Sequence, residues 1–125
     1  MTTTMKSPKL EKKIMEIVKQ YQPILLLQRN TFELKYGTEN PKAYMECVFN
    51  YPYLNVTLKY SDDFVEKYNK KEDITPYVVH EMCHVITDPL YAKATERWAS
   101  KNEVLDEREM LTDYICNIVI INKLK

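Results

Sequence analysis

His80-Glu81-Met82-Cys83-His84 holds both histidines of this 125-residue chain, and the flanking segments take their meaning from their distance to it. Upstream, Thr75 can cap a helix and Pro76 can occupy its first turn. Downstream, Pro89 biases its predecessor away from the αR region, so the helix is expected to stop before it. The pentapeptide therefore reads as mid-helix. Positions four apart share a helix face with Cβ atoms about 5–6 Å apart, so imidazoles at 80 and 84 can converge on one ion at Zn–N distances of about 2.0–2.1 Å. Glu81 sits beside such an ion, where its carboxylate can take a proton from a water and pass it to a leaving amine. The competing reading is two histidines packed in a helix seam and satisfied by ordinary hydrogen bonds.

A catalytic zinc needs a third protein ligand and an open position. With no third histidine, that ligand is a carboxylate or Cys83. Glu109-Met110-Leu111-Thr112-Asp113 is the best match, because Glu109 and Asp113 again stand four apart on one helical face. Glu109 would ligate the metal, and Asp113 would accept a hydrogen bond from the outer N–H of a ligand histidine, fixing its tautomer. Glu107 is the second choice, turned about 160° from that face on a helix of 3.6 residues per turn. Cys83 could close a structural site with the two histidines, but a mid-helix cysteine is more often a small core residue. Asp88, at the expected helix end, reads as a cap or turn residue.

Around this centre the chain divides into simple pieces. Ser7-Pro8 is an N-cap followed by a first-turn proline, and Leu10, Ile14, Ile17, Val18 and Tyr21 recur at helical spacing. The lysines of this helix are interleaved with Glu11 and Glu16, which suits a solvated face. The apolar run Ile24 to Leu27 has no decisive period. Three aromatic and β-branched segments follow, at Thr31 to Tyr36, Tyr44 to Asn50 and Tyr53 to Tyr60. Turn chemistry at Gly37-Thr38-Glu39-Asn40-Pro41 makes the first two read as a hairpin. In the third, Leu54, Val56, Leu58 and Tyr60 alternate with polar residues, so one side faces a core. Ser61-Asp62-Asp63 caps a short helix through Phe64, Val65 and Tyr68. Beyond Pro89 a polar helical stretch with Tyr91, Ala94 and Trp98 is expected, then a break near Ser100 to Asn102. The last helix is expected to carry Met110, Leu111, Tyr114, Ile115, Ile118 and Val119 as core residues. Asp106 and Glu109 form a capping-box pattern, but a ligand Glu109 cannot also cap, so this helix is expected to begin earlier.

Composition narrows the function classes. Lys+Arg and Asp+Glu are 18 each, so no global positive field marks a nucleic-acid binder. The single glycine excludes a Gly-rich phosphate loop. Cys47, Cys83 and Cys116 are widely spaced and odd in number, which suits free thiols in a reducing cytoplasm. No run approaches a membrane span. The length suits one domain, residues 1–125.

The pattern His80-Glu81-x-x-His84 followed by Glu109-x-x-x-Asp113 resembles the gluzincin branch of zinc metallopeptidases. With the small size and preceding strands, the chain is similar to minimal zincin proteins common in bacteriophage and prokaryotic genomes. The resemblance implies an α+β, zincin-like fold: an N-terminal helix, a small antiparallel or mixed sheet of about three strands, an active-site helix and a C-terminal helix. It implies Zn²⁺ held by His80, His84 and Glu109, Glu81 as the base, and peptide-bond hydrolysis. It also implies a peptide or protein substrate aligned along the Tyr53 to Tyr60 strand as the sheet edge. The alternatives are a non-catalytic zinc-stabilised interaction module, which would have no need of Glu81, and a plain protein-binding domain without metal.

Overall fold

Ser7 and Pro8 start the first helix as their order predicts. The computed structural model describes residues 6–49, 54–97 and 101–123, with side chains of the two long helices described up to 88 and from 107 to 121. In α1 (Pro8–Tyr21) the Ser7 hydroxyl accepts the Leu10 N–H at 3.2 Å, and Leu10, Ile14, Ile17, Val18 and Tyr21 are buried. The apolar run that follows is a turn. Leu25 and Leu27 donate backbone bonds to Tyr21 and Gln22, while Leu26 takes a φ of 60° and stays exposed. The Gln22 side chain closes this turn by donating to the Leu27 and Asn30 carbonyls.

The three strands are β1 (Thr31–Tyr36), β2 (Met45–Phe49) and β3 (Asn55–Tyr60), in the order β1-β3-β2. β1 runs parallel to β3 with Thr31 opposite Asn55, and β2 runs antiparallel to β3 with Met45 opposite Tyr60. Two expectations are corrected here. β1 and β2 do not form a hairpin, because β3 lies between them. And β3 is not an edge, because both its sides are paired; Tyr53 itself lies outside the described residues. The physical reason is burial. Val56, Leu58 and Tyr60 are fully buried, so the strand with the cleanest alternation of buried and solvent-facing residues takes the middle. The loop between β1 and β2 folds on itself instead of turning tightly. Gly37, at φ 102°, extends the β1–β3 pairing to the Tyr60 carbonyl, and the Glu46 carboxylate accepts the N–H groups of Glu39 and Asn40.

Ser61 caps α2 (Asp62–Asn69), which buries Phe64 and Val65. Asp73 then accepts the Thr75 N–H at 3.0 Å as α3 (Thr75–Arg97) begins. α3 does not stop before Pro89. A proline inside a helix forgoes one N–H bond, a local cost of about 3 kcal/mol or more, yet α3 continues through it and packs against α4 (Lys101–Lys123). α4 begins five residues before Asp106, so the Asp106 cap gives way, and Trp98 lies outside the described residues. The result is an α+β domain of four helices and a three-stranded mixed sheet. Its core joins α1, the buried face of β3, Phe64, Ile74, and the Val78, Val79 and Met82 side of α3; of the α4 residues expected in it, Ile115 and Val119 are partly buried against it, while Met110, Leu111, Tyr114 and Ile118 are exposed. Among the described residues no helix is long and apolar enough to cross a membrane.

Tyr60 ties this core to α1. Its hydroxyl accepts the Ser7 N–H at 3.2 Å and donates to the Glu11 carboxylate. Burial, and then the bond to Glu11, push its pKa up to about 12 from 10.0. Replacing Tyr60 with Phe is expected to cost about 1–2 kcal/mol at neutral pH, read by urea denaturation. A raised folded-state pKa stabilises fully below the unfolded value and less above it. The stability gap between wild type and Tyr60→Phe should therefore narrow as pH rises from about 10 toward 12, the interval set by the unfolded and folded values. A gap that stays constant across that interval would contradict the Tyr60 assignment.

Candidate metal centre

The histidines lie one turn apart on α3, with His80 partly exposed and His84 buried. Their Nε2 atoms are 3.2 Å apart. Each ring's other nitrogen faces a carboxylate: His80 Nδ1 is 2.8 Å from Asp113 Oδ1, and His84 Nδ1 is 3.0 Å from Asp88 Oδ1. An imidazole that donates from Nδ1 carries its lone pair on Nε2. Both lone pairs therefore converge on one point.

Glu109 of α4 closes the third side. Its Oε2 is 3.4 Å from His80 Nε2, and its Oε1 is 3.6 Å from His84 Nε2. Donors about 2.0–2.1 Å from a tetrahedral ion are separated by about 3.3–3.4 Å; the Nε2 pair and the His80–Glu109 pair lie near that spacing, while His84 meets the other oxygen of Glu109. Two imidazole lone pairs and a carboxylate that face one another form a set that a cation could hold together. Glu81 also lies within the cluster. One ligand atom from each of His80, Glu81 and His84 lie within 4.8 Å of one another, and these residues could hold a metal ion. Glu81 Oε2 is 3.9 Å from His80 Nε2, farther than Glu109 is from either ring, which suits a neighbour of the ion better than a ligand.

The register of the two helices explains the four-residue spacings. On the core side, the Thr87 and Thr112 hydroxyls meet at 2.9 Å and the Cys83 thiol meets the Cys116 thiol. On the cleft side, the same antiparallel alignment sets His80 against Asp113 and His84 against Glu109. Four residues along α3 are answered by four along α4.

Asp113 thus stands beside His80, 2.8 Å from Nδ1. Glu107 is exposed and makes no described ion pair with either histidine. Cys83 turns into the helix seam, away from the site; its contact with Cys116, and then burial, raise its pKa. Asp88 is the correction. It neither caps nor turns, because α3 continues past Pro89 and leaves Asp88 one turn beyond His84 on the same face. The four-residue spacing from His84 was the available signal, hidden by the expectation that proline ends the helix. Arg108 was also missed. Its Nη2 is 3.2 Å from Glu109 Oε1 and its Nη1 is 3.8 Å from Asp88 Oδ1.

Burial shifts the charged groups. Glu81 is raised to about 7, first by desolvation, with His84 pulling it down and Glu109 and Asp88 pushing it up. For His84, burial lowers the pKa, but the bond to Asp88 and the charges of Glu81, Asp88 and Glu109 outweigh it, and the net shift is upward. The centre opens into a cleft of about 500 Å³, walled on one side by Met45, Glu46, Cys47 and Val48 of β2. A second cavity of about 440 Å³ shares His80 and Glu81 and is lined by Tyr44, Met45 and Tyr77. Comparison with protein-family models, curated proteins and solved structures finds no match to the chain.

With Zn²⁺ as probe and a competing chelator, Asp88→Asn and Asp113→Asn should each weaken binding by about 10–100-fold, because each carboxylate orients one imidazole. An Asp88→Asn variant with unchanged affinity would remove Asp88 from the centre.

Proposed function

We propose that the chain is a zinc-dependent peptidase of gluzincin type that hydrolyses peptide bonds. The observation that carries this reading is the convergence of His80 Nε2, His84 Nε2 and Glu109 at a cleft, with Glu81 beside them. His80, His84 and Glu109 would hold the ion. When bound, it supplies Lewis acidity that polarises a carbonyl and makes water a stronger acid. Two nitrogen donors and one carboxylate match zinc, and leave room for one exchangeable position.

The protein groups have distinct tasks. Glu81 is 9% exposed and lines the cleft, where its carboxylate would take the proton of the attacking water and deliver it to the leaving amine. Asp88 and Asp113 hold the rings so that neither Nε2 swings out of line. β2, rather than β3, is the strand available to a substrate. It has one paired side, and four of its residues wall the cleft, so an extended peptide can add to its outer edge with the scissile bond over Glu81.

Glu81→Gln is expected to keep one Zn²⁺ per chain and to lose hydrolysis of a peptide library by about 10²–10⁴-fold. His84→Ala should lose the zinc itself. Hydrolysis surviving in Glu81→Gln would remove Glu81 as the base, and wild-type protein that binds zinc but cleaves nothing would favour a zinc-stabilised interaction module.

A further inference from the structure

We infer that Arg108 is a positioning residue for the metal centre: it holds one oxygen of Glu109, so that this carboxylate meets the ion through the other oxygen alone. The inference rests on the metal-centre reading above. Glu109 offers both oxygens to the histidines, Oε2 at 3.4 Å from His80 and Oε1 at 3.6 Å from His84. A carboxylate so placed can chelate with both, and the second oxygen would fill the position that a catalytic site keeps for water. Arg108 Nη2 donates to Oε1 at 3.2 Å, which commits that oxygen to a charge-assisted bond and leaves Oε2 for the ion.

The arginine is itself held for this role. Neighbouring residues on a helix point about 100° apart, so Arg108 reaches Glu109 only by folding back along α4. Asp88 of α3 draws the guanidinium into that pose, 3.8 Å from Nη1, and the side chain is 20% exposed. A positive group so close to a dication weakens binding by repulsion. Its placement therefore makes little sense as a device for affinity and good sense as a device for coordination number. This separates Arg108 from Asp88 and Asp113, whose removal weakens binding.

Co²⁺ binding to the whole chain tests this, because the visible bands of the ion are strong when four-coordinate and weak at higher coordination. Wild type and Arg108→Lys should bind one Co²⁺ with strong bands. Arg108→Met should bind one Co²⁺ at least as tightly, with bands severalfold weaker; Arg108→Gln serves if the Met variant shows a disturbed far-ultraviolet circular dichroism. An unchanged spectrum in Arg108→Met overturns the inference, as does affinity reduced about tenfold or more with the bands intact, the mark of a merely structural role. Failure of the wild type to bind Co²⁺ removes the metal centre itself, which is a separate outcome.

Discussion

The site depends on how α4 is registered along α3. Two buried contacts set that register, the Thr87–Thr112 hydroxyl pair and the Cys83–Cys116 thiol pair. Thr112 also donates to the Arg108 carbonyl at 2.7 Å, so its hydroxyl is used twice in a place that excludes water. Leaving such a group unpaired would cost about 1–3 kcal/mol, which is enough to select one alignment over its neighbours. A slip of one residue would rotate α4 by about 100° and shift it by about 1.5 Å. Glu109 would leave the histidines and Asp113 would leave His80. The seam that carries no chemistry is what places the residues that do.

Electrostatics explains why the cluster is poised for a cation. Glu81, Asp88, Glu109 and Asp113 gather around two imidazoles, with Arg108 beside Asp88 and Glu109. Like charges about 5 Å apart repel by about 3 kcal/mol at an effective dielectric near 20, so the arrangement raises the free energy of the metal-free chain. Glu81 takes up a proton more readily mainly because it is buried, with Glu109 and Asp88 adding to the effect, and His84 because its bond to Asp88 and the nearby carboxylates outweigh its burial. A divalent ion would relieve the repulsion more completely than protons can, because it faces the lone pairs directly.

Much of this was legible in the sequence, and the failures have physical causes. α1 followed from its cap and period, and the buried face of β3 from its alternation. Glu109 and Asp113 were found because four-residue spacing is a geometric requirement that needs no tertiary knowledge. Strand order was not legible: periodicity tells which face of a strand is buried, but not which strand lies beside it. Pro89 misled because its local penalty is real, but α3, which packs against α4, continues through it, and that packing is not visible in local sequence. That one error concealed Asp88. Arg108 was invisible for another reason, since an arginine between charged neighbours reads as solvated until α3 is set against it.

Strand order also bears on how so small a chain could handle a substrate. Placing β3 in the centre uses both its edges, anchors it through Tyr60 to α1, and leaves β2 at the border. An unpaired edge is a hazard for aggregation, and proteins commonly blunt it with charge or cover. β2 carries a charge in Glu46, but that carboxylate is bound to the N–H groups of Glu39 and Asn40 and so shapes the adjoining loop. Among the described residues the outer side of β2 is unpaired where the strand walls the metal cleft. Under the proposed reading, that unpaired side has a use, because the groups that invite a stray strand are those that would align a peptide. Binding and catalysis would then share one border of the fold, with β2 orienting the chain to be cut and α3 supplying Glu81 beneath it.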